Sequence, residues 1–140
     1  MGNLPMNIEV FSLCDAATVD VAGKLNVLGA FDTIWSTGMP MVYPQCAVAL
    51  RIRFQGIERG EHRVFVNFIN VDGKPIVPAA NGVIKIGFPD DQRSGSANLV
   101  LNLQKLKFET YGEYSIDLAV DGRNEASLPL FVRGKRADNP

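Results

Sequence analysis

Residues on which much enzyme chemistry depends are scarce here: the chain has one histidine, His62, and two cysteines, Cys14 and Cys46. A catalytic triad or a zinc site needs several such side chains converging in space. No HExxH, Gly-x-Ser-x-Gly or CxxC pattern occurs, so hydrolase, zinc and dithiol chemistry lack their usual parts. His62 lies in Gly60-Glu61-His62-Arg63 and reads as a structural or solvent-facing turn residue. Cys14 and Cys46 read as buried free thiols. A bridge between them would require neighbouring strands with Cα atoms within about 7 Å.

Charge of one sign is equally lacking. Fourteen basic residues against fifteen acidic ones leave a net charge of -1, with no basic face to draw nucleic acid or an anionic membrane. The one basic concentration, Arg133, Lys135 and Arg136, reads as a frayed, solubilising tail. No run approaches the roughly 18 apolar residues of a membrane span, and Met1 to Asn7 has neither the basic nor the apolar region of a secretion signal. The expectation is a cytoplasmic protein without nucleic-acid or membrane partners.

The chain does have enough apolar content for a core. At 140 residues and 46% hydrophobic composition it suits one domain, 1–140, with 1–6 and 134–140 as flexible ends. Its dominant period is two. Tyr114, Ile116, Leu118 and Val120 alternate with Ser115, Asp117, Ala119 and Asp121; Asp121-Gly122 then supplies a type I′ turn, and Ala126, Leu128, Leu130 and Val132 run back. Further strands are expected at Ile8 to Leu13, Val48 to Phe54, Val64 to Phe68, Gly82 to Phe88 and Leu99 to Leu103, the last ending near Gln104 to Glu109. The run from Leu25 to Trp35 is interrupted by Gly29, which marks a bulge or a close backbone approach. Only Asp15 to Gly23 could hold a helical turn, and Val19 and Val21 favour extended chain there. Turn signals recur about every ten residues. The predicted fold is all-β, an antiparallel β-sandwich of about eight strands with Greek-key connections. Gly112-Glu113-Tyr114 is similar to the entry of an immunoglobulin-type tyrosine corner, although Ile116 stands where the antibody pattern has cysteine.

The segments Phe11-Ser12-Leu13-Cys14-Asp15, Gly23 to Asp32, Asn98 to Leu103 and Tyr111 to Gly122 carry a family likeness across nearly the whole chain. The chain resembles an uncharacterised family of small bacterial β-sandwich proteins, a domain of unknown function. That resemblance implies a bacterial β-sandwich and supplies no catalytic residue.

The segment Trp35 to Pro44 is the most unusual one: a predicted loop that holds the only tryptophan, Met39, Met41 and Tyr43. Loops at the surface are normally polar. Trp35, Met39, Met41 and Tyr43 are therefore the candidate partner surface, for another protein or a second copy, unless the segment closes one end of the core. Arg51 and Arg53 share one strand face and are expected to pair with an acid on the neighbouring strand. The functional expectation is a non-enzymatic binding or assembly module with no cofactor or metal. The alternative is a small-ligand or metal-binding module, or an enzyme, using the loop carboxylates Asp15, Asp20, Asp32, Asp90 and Asp91.

Overall fold

The computed structural model describes residues 6–135. Among them are nine strands: β1 (Asn7–Val19), β2 (Leu25–Ala30), β3 (Thr33–Ser36), β4 (Met41–Gln55), β5 (Gly60–Ile69), β6 (Ala80–Ile86), β7 (Ser94–Phe108), β8 (Gly112–Val120) and β9 (Arg123–Gly134). They form a four-stranded sheet in the order β2-β1-β4-β7 and a five-stranded sheet in the order β3-β9-β8-β5-β6. No helix among the described residues is long and apolar enough to cross a membrane.

Period-two patterning places the core. Val48, Leu50, Ile52 and Phe54 of β4 are fully buried, as are Val64, Ile116, Leu118 and Leu130 from the other sheet, and all belong to one apolar cluster. The β8–β9 hairpin turns at Asp121 and Gly122, whose φ angles of 52° and 83° are those of a type I′ turn. The Tyr114 hydroxyl donates to the Thr110 carbonyl at 2.7 Å, the corner bond expected from Gly112-Glu113-Tyr114.

Several sequence expectations are corrected. The nine strands match the expected number of about eight, but the sheets are not wholly antiparallel, because β3 runs parallel to β9. Asp15 to Val19 continues β1 as extended chain, as Val19 and Val21 favoured. The predicted loop from Trp35 to Pro44 shrinks to residues 37–40: Trp35 belongs to β3, and Met41 to Pro44 open β4. β7 runs on through the charged stretch to Phe108, since Lys105 adopts a φ of 56° and inverts the pleat. Inward-facing side chains therefore switch from Leu99, Leu101 and Leu103 to Leu106 and Phe108, and β4 switches in step from Cys46 to Tyr43 and Met41. The flexible ends expected at 1–6 and 134–140 lie mostly outside the described residues. Those that are described are held: Met6 packs against the core, Gly134 ends β9, and the Lys135 N–H donates to the Ser36 carbonyl at 2.8 Å. The same holds for Arg133, an integral β9 residue rather than part of a tail.

The outer face of the four-stranded sheet explains β1 and β2. On β4 the outward residues are Ala47 and Ala49, then Arg51 and Arg53. The alanines are small enough for the β1–β2 hairpin to fold back over them. Ala17, Leu25 and Val100 pack on Cys14, Ala47 and Ala49, and the Gly23 carbonyl accepts a bond from the Asn98 amide on β7 at 2.9 Å. The arginines are gathered by Glu9, which accepts from Arg51 Nε at 2.8 Å and Arg53 Nε at 2.5 Å, the cross-strand pairing expected. These bonds, Arg53's foremost, hold the Glu9 carboxyl below its ordinary pKa. Within the curl, Gly29 has a φ of 71° and lies so close to β1 that a Cβ would overlap the Asp15 carboxylate. The approach is made by the Asp15 side chain, where the sequence predicts a bulge or a close backbone approach. Cys14 and Cys46 lie on neighbouring strands, yet the pleat sends Cys46 into the core and Cys14 to the outer face, so both are free.

His62 stacks on Phe54 with ring centroids 4.4 Å apart and joins three segments. Its Nδ1 meets Asp121 Oδ2 at 2.6 Å in the β8–β9 turn, and its Nε2 meets the Glu58 carbonyl at 2.5 Å in the short 3-10 turn Gly56–Glu58. Both partners are acceptors, an arrangement that favours the doubly donating, protonated ring. Burial pulls its pKa down, but the bonds to Asp121 and Glu58 outweigh that and raise it above the ordinary value.

Two outcomes follow for stability. Gly29→Ala and Gly23→Ala should each cost about 1 kcal/mol in urea unfolding, because both glycines have a left-handed backbone and the exposed Asp15 carboxylate beside Gly29 has room to swing aside. A much larger cost at Gly29 would show that the Asp15 carboxylate is held in place. Because the folded pKa of His62 is raised, its contribution is complete below the unfolded value of about 6.5 and is lost as pH rises through the folded pKa. His62→Gln should therefore cost about 1–3 kcal/mol at acid pH, with the deficit shrinking toward alkaline pH; a deficit that grows with pH would refute the doubly donating ring.

Candidate functional site

The outward faces of β3, β8 and β9 meet at one edge of the five-stranded sheet. Leu130 and Val132 of β9 point inward, so Phe131 and Arg133 must point outward; Ile34 of β3 points inward, so Trp35 points outward beside Arg133, its register partner. The connection into β8 adds Tyr111, and β8 itself adds Glu113. Together these residues line an open cleft of about 670 Å³, with the backbones of Gly112 and Gly134 between them.

Two large aromatic side chains stand free at this cleft: Trp35 is 58% exposed and Tyr111 is 44% exposed. Tyr111 is positioned by a bond from its hydroxyl to the Ser36 carbonyl at 3.2 Å, and its ring lies over Gly134. The Arg133 guanidinium lies 5.2 Å from the Phe131 ring centroid, within cation–π range, which orients the charge along the cleft wall. The surface thus offers aromatic faces, one cation and one carboxylate. It contains no nucleophile paired with a base.

Of the four residues expected to form a partner surface, the structure places only Trp35 here. Met39, Met41 and Tyr43 are half-buried and pack against the core, Tyr43 with its ring 5.8 Å from Phe31. Burial pushes the Tyr43 phenol pKa up. The expected four-residue surface is therefore divided between a core-closing segment and one exposed tryptophan. Tyr111 and Phe131 carry no site signal in local spacing, and Arg133, expected in a basic tail, stands instead in the cleft wall. Only the outward facing of Phe131 and Arg133 is legible, in β9, where an inward Leu130 and Val132 force an aromatic and a cation onto the outer face.

The loop acids are dispersed in their duties. Asp20 caps its own hairpin turn, accepting from the N–H groups of Ala22 at 3.0 Å and Lys24 at 2.9 Å; these bonds, Lys24's foremost, lower its pKa. Asp32 accepts from the Thr33 hydroxyl at 2.8 Å and borders a second cleft of about 390 Å³ with Phe11, Phe31 and Pro129. Asp15 sits against Gly29, Asp90 lies 4.0 Å from Arg59, and Asp91 is exposed. Among the described residues, no three His, Cys, Asp or Glu side chains gather as a metal-binding group. Burial, then the neighbouring Cys14 and Asp15, pushes the Cys46 thiol up to about 11, far from a reactive thiolate. A further apolar exposure, also unforeseen, lies on the curled hairpin at Val19, Val21, Val27 and Leu28.

No curated protein matches the sequence. Among solved structures, a β-glucosidase from Listeria innocua in complex with isofagomine superposes with a TM-score of 0.54 at 9% identity. A second structure of the Listeria innocua β-glucosidase gives 0.53 at 9%. The alkylpurine DNA glycosylase AlkC of Pseudomonas fluorescens, bound to DNA containing an abasic site analog, gives 0.49 at 8%. Each alignment covers 92% of this chain, but only 16% of the β-glucosidase and 30% of the glycosylase. At such identities the β-glucosidase likeness concerns the fold alone. The model of a family of unknown function (DUF6941) matches residues 9–133, which takes in residues of all nine strands and the Trp35 cleft up to Arg133, and the chain belongs to that family.

Proposed function

We propose that this protein is a non-enzymatic binding or assembly module that acts through contacts with protein chains, with the cleft around Trp35 as its contact surface. The observation that carries this reading is the pairing of an exposed tryptophan and an exposed tyrosine across an open cleft with an oriented arginine beside them. Trp, Tyr and Arg are the residue types that dominate binding energy at protein interfaces, because they combine large apolar area with a polar handle. Strands hold all but Tyr111, so binding requires little ordering of the surface.

The accompanying fold reading is a Greek-key β-sandwich of immunoglobulin-like form, supported by the shared core of the two sheets and the Tyr114 corner bond. That architecture hosts many functions, so the site carries the proposal and the fold does not. A cytoplasmic setting is proposed with it, in keeping with two unbridged cysteines.

The test is a photo-activatable amino acid at Glu113, beside the cleft, in the cell that makes the protein. A defined protein adduct is expected, and Trp35→Ser combined with Tyr111→Ser should reduce it at least about tenfold while circular dichroism stays native. Trp35 and Tyr111 are exposed, so the fold should survive. Absence of any protein adduct, or an adduct indifferent to the double substitution, would sink the proposal.

A further inference from the structure

The two sheets have four edges, and three are short or interrupted. β3 has four residues, β2 has six including the left-handed Gly29, and β6 has seven with Lys85 among them. The fourth edge is β7, fifteen residues long, which among the described residues pairs with β4 alone. Alternate N–H and C=O groups along it point sideways, away from the sheet. Edge strands are ordinarily guarded by charged side chains, yet from Ser94 to Gln104 β7 has none. The first guard is Lys105, where the left-handed backbone also kinks the strand.

The core thins toward the same edge. Leu99, Leu101 and Leu103 are only half-buried, whereas their β4 partners Leu50, Val48 and Cys46 are fully buried. A row of free backbone groups is satisfied by an extended strand, and the apolar row beside it calls for apolar side chains spaced by two on the same face. β7 itself meets both requirements.

We infer that the β7 edge is a self-association surface, on which β7 of a second copy of this chain pairs antiparallel about a two-fold axis at Leu101. An axis perpendicular to the sheet reverses the strand but keeps its faces, so the two leucine rows become continuous. Leu101 then faces its own counterpart, and Leu99 faces the second copy's Leu103. On the outer face Asn98 meets Gln104, and Val100 meets Asn102, so no charge is placed opposite another. Neighbouring registers are worse. Centring on Val100 sets Lys107 against Arg93, a like-charge pair, and centring on Asn102 sets the kinked Lys105 against Leu99. The two four-stranded sheets join into one of eight strands. The Trp35 cleft lies on the other sheet, so this inference stands or falls independently of the proposed function.

Sedimentation velocity on the full chain over a wide concentration range tests it. A monomer–dimer equilibrium is expected. Asn102→Lys with Gln104→Lys, both at exposed outward positions, should weaken the dimer at least tenfold while circular dichroism remains native. A native protein that stays monomeric at the highest concentration overturns the inference, as does a folded lysine variant that dimerises like the native chain. Mixed Val100→Cys and Asn102→Cys chains, each also carrying Cys14→Ser because Val100 packs in the same cluster as the free Cys14, give an independent readout of register under a mild oxidant. Disulfides should join unlike chains predominantly; like-chain adducts in equal yield, or none, would overturn it.

Discussion

Every other feature of this molecule is placed by the alternation of β4, which lies between β1 and β7 and exchanges hydrogen bonds with both. Its inward row, Val48, Leu50, Ile52 and Phe54, has no solvent exposure and fills the space between the sheets. Burial of side chains of this size stabilises by roughly 1.5–3 kcal/mol each, well above what any surface ion pair here contributes. The outward row is as decisive. Ala47 and Ala49 leave room for the β1–β2 hairpin to curl over the sheet, and Arg51 and Arg53 then bind Glu9 on β1. A larger residue at either alanine would lift the hairpin from its seat.

The core is also where the apolar segment from Trp35 to Tyr43 is divided. β3 leaves one sheet and joins the other parallel to β9, carrying Trp35 outward, while the pleat inversion opposite Lys105 turns Met41 and Tyr43 inward. One contiguous stretch thus closes the core and supplies the exposed aromatic of the cleft. Neither role excludes the other, because successive strand residues face opposite ways.

The architecture separates two surfaces of different character. The cleft on the five-stranded sheet is built from side chains, aromatic and charged, around a glycine-lined floor. The β7 edge on the four-stranded sheet is built from backbone groups and leucines. His62 and Glu9 belong to neither; they are clamps that hold turns and neighbouring strands in register.

Much of the fold was legible in the sequence because side-chain alternation is a local property. The inward rows of β4, β5, β8 and β9, the Asp121-Gly122 turn, the Tyr114 corner and the acid partner for Arg51 and Arg53 could all be read from neighbours within a few positions, or from residue type. The candidate site was legible only in Trp35. Tyr111, Phe131 and Arg133 are far from Trp35 in the chain and meet it only because β3 crosses to the second sheet. Which strands become neighbours, which edge stays open and which side of a pleat faces solvent after a left-handed residue depend on long-range pairing. Local spacing has no access to that pairing, so the sequence determined the strands and their apolar faces, and only the tertiary structure decided what those faces and edges meet.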